Sequence, residues 1–419
     1  MTFASAWLIH NGLQTGRANE MSVGEISRIR LRLRDDRALL HEEGACLPLR
    51  SRYGGCRACA DACPVGALQV SVDAVMLGAA CFGCGRCTAA CPTQALTLPD
   101  LGALDDAPAA MRPSSTLRIE CRKVPAHQRA SGTLTVACLG ALTSGHLLAC
   151  RAAGIRVEVV DRGWCQGCEA GGAPANAACG TGGHAAGEAI QAANVWLEAL
   201  GAPDGPALVF EPLPAAERPT AIPPPDTPME SRIDRRAFFR EVVDRPAGRG
   251  RTAATPMGGD GRAAYPADRR QPSPERVRQL AAIAAIATAQ GAPVPAELYP
   301  TLEVDSRCCD QRLCVALCPT AALAVRDGPG SARLEWDAGR CIACGTCVRG
   351  CPEGAMHLAA HGGSPGVRVV AEHARATCHG CGDAFTPAAG TADGDPALCP
   401  SCTKSRRFVD DARRQLFRT

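Results

Sequence analysis

Apolar and polar positions alternate along this chain in short bursts, few of them long enough to build a large core. Four bursts are near copies of one another: Gly66-Ala67-Leu68-Gln69-Val70, Gln94-Ala95-Leu96-Thr97-Leu98, Ala321-Ala322-Leu323-Ala324-Val325 and Gly354-Ala355-Met356-His357-Leu358. Each follows a Cys-Pro pair, so one supersecondary unit is used four times. Three other strand-like runs lead into cysteines: Leu117 to Cys121, Leu134 to Cys138, and Val157 to Val160 ahead of Cys165. Helical runs at 140–153 and 184–200 alternate with them, which predicts a small α/β domain. If its strands are parallel, their C-terminal ends share one edge, where sites in such sheets form, and Cys121, Cys138, Cys165 and Cys168 converge there.

Val277, Leu280, Ile283 and Ile286 recur at helical spacing and predict a packed helix over 275–290. The longest apolar run, Leu280 to Ala289, is roughly half of what a bilayer-spanning helix needs. Residues 202–230 and 245–274 are rich in Pro, Gly, Ala and Arg and read as linkers. Between them, Asp234 to Arg240 contains paired arginines but is followed by Glu241 to Arg245 rather than an apolar run. It therefore reads as an amphipathic docking helix and not as an export signal. The first forty residues show no basic stretch followed by an apolar one. The expectation is a cytoplasmic protein with no transmembrane segment.

Composition changes this picture in one respect. There are 26 Cys against 8 Phe, 3 Tyr and 4 Trp, so cysteine chemistry must organise much of the chain. A long chain without an export leader favours metal-bound thiolates over disulfides. The net charge of +3 gives no field that would imply a nucleic-acid partner.

The chemistry lies in the spacing. Cys81, Cys84, Cys87 and Cys91-Pro92 repeat the pattern of Cys341, Cys344, Cys347 and Cys351-Pro352. Soft thiolates in this run suit iron–sulfur clusters, three closely spaced residues wrapping one cluster and the fourth reaching the next. Gly83, Gly85, Ala343 and Gly345 let the backbone fold closely around such a cluster.

Residues 44–100 and 301–362 thus resemble bacterial-type dicluster ferredoxin domains, as in a polyferredoxin-like protein. The resemblance implies two modules of hairpins and short helices holding up to four [4Fe–4S] clusters. It also implies that Cys81, Cys84 and Cys87 share a cluster with Cys63, and Cys341, Cys344 and Cys347 with Cys318. The partner motifs depart from the family. In the first module Cys56, Cys59 and Cys63-Pro64 are in place, but Tyr53 occupies the first ligand position, and Cys46 is the substitute, giving Cys46, Cys56, Cys59 and Cys91. In the second, Cys308, Cys314 and Cys318-Pro319 fit while Gln311 occupies the second position. Cys309 is the nearest spare thiolate, giving Cys308, Cys309, Cys314 and Cys351; a [3Fe–4S] cluster lacking one ligand is the alternative.

The middle segment, 115–201, resembles the small [2Fe–2S] subunit that links hydrogenase to heterodisulfide reductase in methanogens, on the strength of Cys121, Cys138, Cys165 and Cys168 alone. Those four fit a [2Fe–2S] cluster or a structural zinc. Cys150 reads as an ordinary buried thiol, and Cys179 is unassigned. At 374–406, Cys378, Cys381, Cys399 and Cys402 form two knuckles separated by seventeen residues, similar to a zinc ribbon with a hairpin between the knuckles. This tail is expected to be structural and separable from redox function.

The whole is expected to be an α+β multidomain chain: an N-terminal extension (1–43), the first dicluster module, the α/β domain, a linker with helical segments (202–300), the second module, the zinc-ribbon-like segment and a tail (407–419). The function this predicts is electron transfer, as a subunit or soluble partner of a larger oxidoreductase. The alternatives are an enzyme reducing disulfide or sulfur compounds at the middle Cys group, and a scaffold for cluster assembly. No phosphate-binding loop or dinucleotide fingerprint is present.

Overall fold

The computed structural model describes residues 30–170 except 35 and 166, 184–219 except 203, 270–387 and 397–416. The docking helix read at 234–244 and Cys179 lie outside the described residues. Helices and strands are mixed throughout, as an α+β chain requires.

The first unit begins with β1 (Leu31–Arg32) and β2 (Leu40–His41), then α1 (Leu47–Arg50), α2 (Ala58–Asp61), β3 (Leu68–Val70), β4 (Val75–Leu77), α3 (Arg86–Ala90) and β5 (Leu96–Thr97). β2 closes the unit by pairing antiparallel with β5, and β3 and β4 form a hairpin. Leu39, Leu68, Leu96 and Leu98 fill a small core beneath them. After α4 (Gly102–Ala110) the chain enters β6 (Thr116–Cys121), β7 (Leu134–Val136), α5 (Ser144–Ala152), β8 (Arg156–Asp161), α6 (Gly187–Ala199) and β9 (Ala207–Phe210). The four strands form one all-parallel sheet in the order β7-β6-β8-β9. β9 was not expected. It falls in the stretch read as linker, where flanking prolines at 206, 212 and 214 obscure a four-residue strand.

The long helix α7 (Pro274–Gln290) follows, with Ile283 and Ile286 buried as expected but Val277 51 % exposed. Its packing face therefore runs through Ala282, Ile283, Ile286 and Ala287 instead. α7 lies on α5 and caps it. The Glu275 carboxylate accepts the Gly145 N–H (2.8 Å) and the Thr143 hydroxyl (2.8 Å), neutralising orphan donors at the α5 N-terminus.

The second unit repeats the first: β10 (Thr301–Val304), α8 (Leu313–Leu317), β11 (Leu323–Gly328), β12 (Ser331–Asp337), α9 (Thr346–Arg349) and β13 (Met356–Ala359). β10 pairs antiparallel with β13 and β11 with β12, reproducing the closure and hairpin of the first unit. β14 (Val367–Ala374) then adds to β12, extending the unit past residue 362. One continuous core joins α5, α6, α7 and this unit, from Ile119 and Leu147 through Ile283 to Trp336. At the end come β15 (Ala376–Thr377), β16 (Ala384–Phe385) and α10 (Pro400–Leu416). Among the described residues the β15–β16 hairpin encloses the first knuckle, and residues 407–416 continue a helix that starts within the second knuckle.

The fourfold repeat is visible in the backbone. Three residues after the Cys of each Cys-Pro pair stand Gly66, Gln94, Ala321 and Gly354, all with φ between 51° and 60°. Two residues after each first ligand position stand Gly55, Gly83, Asp310 and Ala343, with φ of 54°, 77°, 54° and 52°. Left-handed backbone is uncommon for Gln, Ala and Asp, so its recurrence marks a loop geometry imposed at all four places.

Candidate metal centres

Each Cys group sits where a loop turns into a short helix. Cys56 and Cys59 flank the start of α2, Cys84 and Cys87 that of α3, and Cys344 and Cys347 that of α9, and the N–H groups of Ala58 and Arg86 at the first two starts bond to Cys56 and Cys84. Cys46, Cys56, Cys59 and Cys91 surround one cavity, and Cys63, Cys81, Cys84 and Cys87 another. The structure brings Cys46, the substitute named from sequence, to the same cavity as Cys91, Cys59 and Cys56, where it is buried. Burial, followed by mutual repulsion, pushes Cys46 and Cys59 up to about 12. Thiols held this way fit a polynuclear metal group, whose positive core offsets four converging thiolates.

In the second unit Cys318, Cys341, Cys344 and Cys347 are mutual neighbours, and burial raises Cys341 to about 11 and Cys347 to about 12. Cys308, Cys314 and Cys351 also face one another. Cys309 differs. It is exposed, and its Sγ accepts a hydrogen bond from the Gln311 amide at 3.3 Å. His373 on β14, which sequence reading did not single out, brings Nε2 to 3.4 Å from Cys308 Sγ.

The middle group forms as the parallel strands required. Cys121 ends β6, Cys138 follows β7, Cys165 and Cys168 follow β8, and the four line one cavity with Trp164. Backbone N–H groups of Lys123 and Gly140 point at Cys121 Sγ (3.5 Å) and Cys138 Sγ (3.4 Å), and Lys123 Nζ lies 3.7 Å from Cys168 Sγ. Asp161 and His184 join Cys165, the three ligand atoms lying within 4.8 Å of one another. His184 Nδ1 accepts the Ala186 N–H at 3.1 Å, which leaves the ring proton on Nε2. Burial holds its pKa below the usual range against the pull of Asp161. Neither residue carried a sequence signal beyond Asp161 standing at a strand end. Cys150 is fully buried on α5, as expected.

The tail group has another geometry. All four ligand atoms of Cys378, Cys381, Cys399 and Cys402 lie within 4.8 Å of one another, and Cys381 Sγ is 3.8 Å from Cys399 Sγ. A tetrahedral ion with metal–sulfur bonds of about 2.3 Å spaces its thiolates by about 3.8 Å, so this group has the dimensions of a single-ion site. The N–H groups of Cys399 (3.2 Å) and Gly380 (3.3 Å) converge on Cys378 Sγ. Led by the Cys399 bond, they hold that thiol down at about 6.

The groups are not isolated. Cys138 of the middle group lies within electrostatic reach of Cys84, Cys59 of Cys87, Cys56 of Cys344 in the second unit, and Cys347 of Cys314. Two junctions fix this order. At one, Gly85 and Gly140 permit close approach: a Cβ on Gly85 would stand 3.0 Å from Ala141 Cβ, and one on Gly140 2.8 Å from Arg86 Cγ. At the other, the Arg349 guanidinium donates to the carbonyls of Tyr53 (2.8 Å), Gly54 (2.9 Å) and Cys344 (2.9 Å), tying the two units together.

Residues 333–356, which contain Cys341, Cys344, Cys347 and Cys351, match the family model of a 4Fe-4S binding domain. No curated protein matches the chain. The matched segment runs from β12 to the start of β13 and is an iron–sulfur-binding one.

Proposed function

We propose that this chain is a multi-cluster iron–sulfur electron-transfer protein that works with a larger oxidoreductase holding the catalytic cofactor. The observation that supports it best is the unbroken series of thiolate groups, from Cys121, Cys138, Cys165 and Cys168 through both units to Cys308, Cys314 and Cys351. Iron–sulfur clusters bound there supply reversible one-electron chemistry. The chain's own part is to hold the groups in a fixed order, to keep most of them away from water and to aim N–H groups at their sulfurs. On this reading both units are dicluster ferredoxin modules, the middle group takes a [2Fe–2S] centre, the tail takes zinc, and the protein is cytoplasmic. No helix among the described residues is long and apolar enough to cross a membrane.

The test is anaerobic purification with iron analysis and EPR. The expected content is about 15 to 18 iron per chain, with several interacting reduced signals. Fewer than about eight iron overturns the two-module reading. Replacing Cys344 and Cys347 by Ser should remove one of the interacting signals and simplify its neighbours.

A further inference from the structure

The outer Cys group of the second unit and the tail group share a hinge point, Asp310. This residue stands two after Cys308, with φ of 54°, and its side chain is 5 % exposed. Its carboxylate accepts the Thr386 hydroxyl at 2.9 Å and lies 3.1 Å from Arg312 Nη2 and 3.4 Å from Arg375 Nη1. Arg312 is also left-handed, with φ of 61°. Non-glycine residues hold that conformation when their neighbours impose it. The Cys308–Cys314 loop therefore depends on what grips Asp310.

Part of that grip belongs to the tail. Thr386 directly follows β16, and Arg375 reaches the same strand by donating to the Ala384 carbonyl at 2.6 Å. β15 and β16 have two residues each, too short to persist alone. Their turn is built on the first knuckle, where Cys378 N–H meets the Asp383 carbonyl (2.9 Å) and Gly382 N–H the Cys378 carbonyl (2.9 Å). Without a metal to close Cys378, Cys381, Cys399 and Cys402, this hairpin keeps only the Arg375–Ala384 bond and a few backbone bonds of its own, which weakens the hold of Thr386 on Asp310.

We propose that metal occupancy of the Cys378–Cys381–Cys399–Cys402 group governs how firmly the Cys308–Cys314–Cys351 group retains its iron, the Thr386–Asp310 contact being the link. The inference rests on reading both groups as metal centres, and it makes the tail a clamp on the outermost redox group rather than a separable appendage.

The experiment uses the full-length chain, reconstituted anaerobically with iron, sulfide and zinc. The Cys314→Ser variant identifies the spectral contribution of the outer group by its disappearance. Thr386→Val should keep about one tail zinc per chain. Its outer group should lose iron to a chelator about tenfold faster, as expected when one hydrogen bond to a buried carboxylate is lost. The other groups should stay unchanged, and Thr386→Ser should restore the original rate. Cys378→Ser with Cys399→Ser should remove the tail zinc and accelerate loss at the outer group to the same degree or more. The inference is overturned if either variant leaves the outer group's rate unchanged while the tail metal behaves as stated. If the unsubstituted chain shows no iron that Cys314→Ser removes, the functional reading of that group fails first, before any tail variant is made.

Discussion

The two repeated units each lack one ligand of the shared pattern, and they handle the loss differently. In the first, Tyr53 replaces the first thiolate and Cys46 arrives from the turn before α1, buried and facing Cys91, Cys59 and Cys56. In the second, Gln311 replaces the second thiolate, and the nearest spare, Cys309, is exposed and adjacent to a residue already committed to the group. A substitute can complete a group when it enters on a separate element with its own backbone direction. A chain neighbour is worse placed, because successive side chains diverge, and here the Cys309 thiol stays exposed. The missing thiolate in the first unit even gains a use: the Tyr53 carbonyl accepts from Arg349 at the junction between units.

The largest effect that can break this comparison comes from deleting the two substitutes. Cys46→Ser should cost about one to four iron per chain and convert or abolish the associated signal, whereas Cys309→Ser should leave both iron content and spectrum as in the parent. Equal losses would put Cys309 on the same footing as Cys46. Next in size is repair. Gln311→Cys should add about one iron and convert an oxidised-state [3Fe–4S] EPR signal into a reduced-state [4Fe–4S] one. Tyr53→Cys should add none, since Cys46 already serves.

The tail group, with no ligand missing, provides a control that can be titrated. Cys378, held down at about 6 chiefly by the Cys399 N–H, is mostly ionised at neutral pH and contributes little to proton release on binding metal. In Cys381 the N–H of Asp383 favours the thiolate, but donation of the thiol proton to Cys378 and burial outweigh it and bring the group to about 12. Cys402 is also raised, first by its bond to Cys399. These two must each lose a proton. Zinc affinity should therefore rise about 100-fold per pH unit near neutrality from these two alone, and more steeply below about 6, where Cys378 also protonates. Chelator competition at several pH values measures this, and a pH-independent affinity would contradict the hydrogen-bond pattern.

The smallest effect concerns packing. Gly85 and Gly345 are equivalent in the repeat, with φ of 80° and 69°. A Cβ on Gly85 would meet Leu98 Cδ1 at 2.4 Å, but on Gly345 only the movable end of Arg349 at 2.8 Å. Both alanine variants should lose about 1 kcal/mol to backbone strain. Gly85→Ala should lose about 1–2 kcal/mol more, read as a lower denaturant midpoint.

Local chemistry was legible in the sequence. Cys-Pro pairs with similar followers mark turns that recur with left-handed backbone at the same position, and strand runs ending in cysteine could converge only if parallel, which they are. Cys46 was legible because it was the only nearby thiolate upstream of Cys56. What escaped is set by distant packing. Nothing local in Tyr53 or Arg349 announces a hydrogen bond between residues 296 apart in sequence. The Thr386–Asp310 and His373–Cys308 contacts are likewise products of β14 folding back onto β12. β9 escaped because four residues between prolines give too short a pattern, and α10 because its apolar side chains, Phe408 and Leu416 among them, stay exposed.

The Arg349 junction has a further consequence. One side chain and two carbonyls would make a feeble complex between free proteins, each such bond contributing about 1.5–3 kcal/mol against a larger loss of translational and rotational freedom. Here the middle domain already packs on the first unit through Gly85 and Gly140, and α7 carries it to the second, where Ile283 shares a core with Trp336 and Arg276 Nη2 lies 3.5 Å from the Ala338 carbonyl. The two units meet as an intramolecular event, at an effective concentration of the order of millimolar or above. A contact too weak to assemble anything by itself can then stay closed most of the time, yet open without the chain coming apart. Cys56 and Cys344 are the thiolates that such an opening would separate.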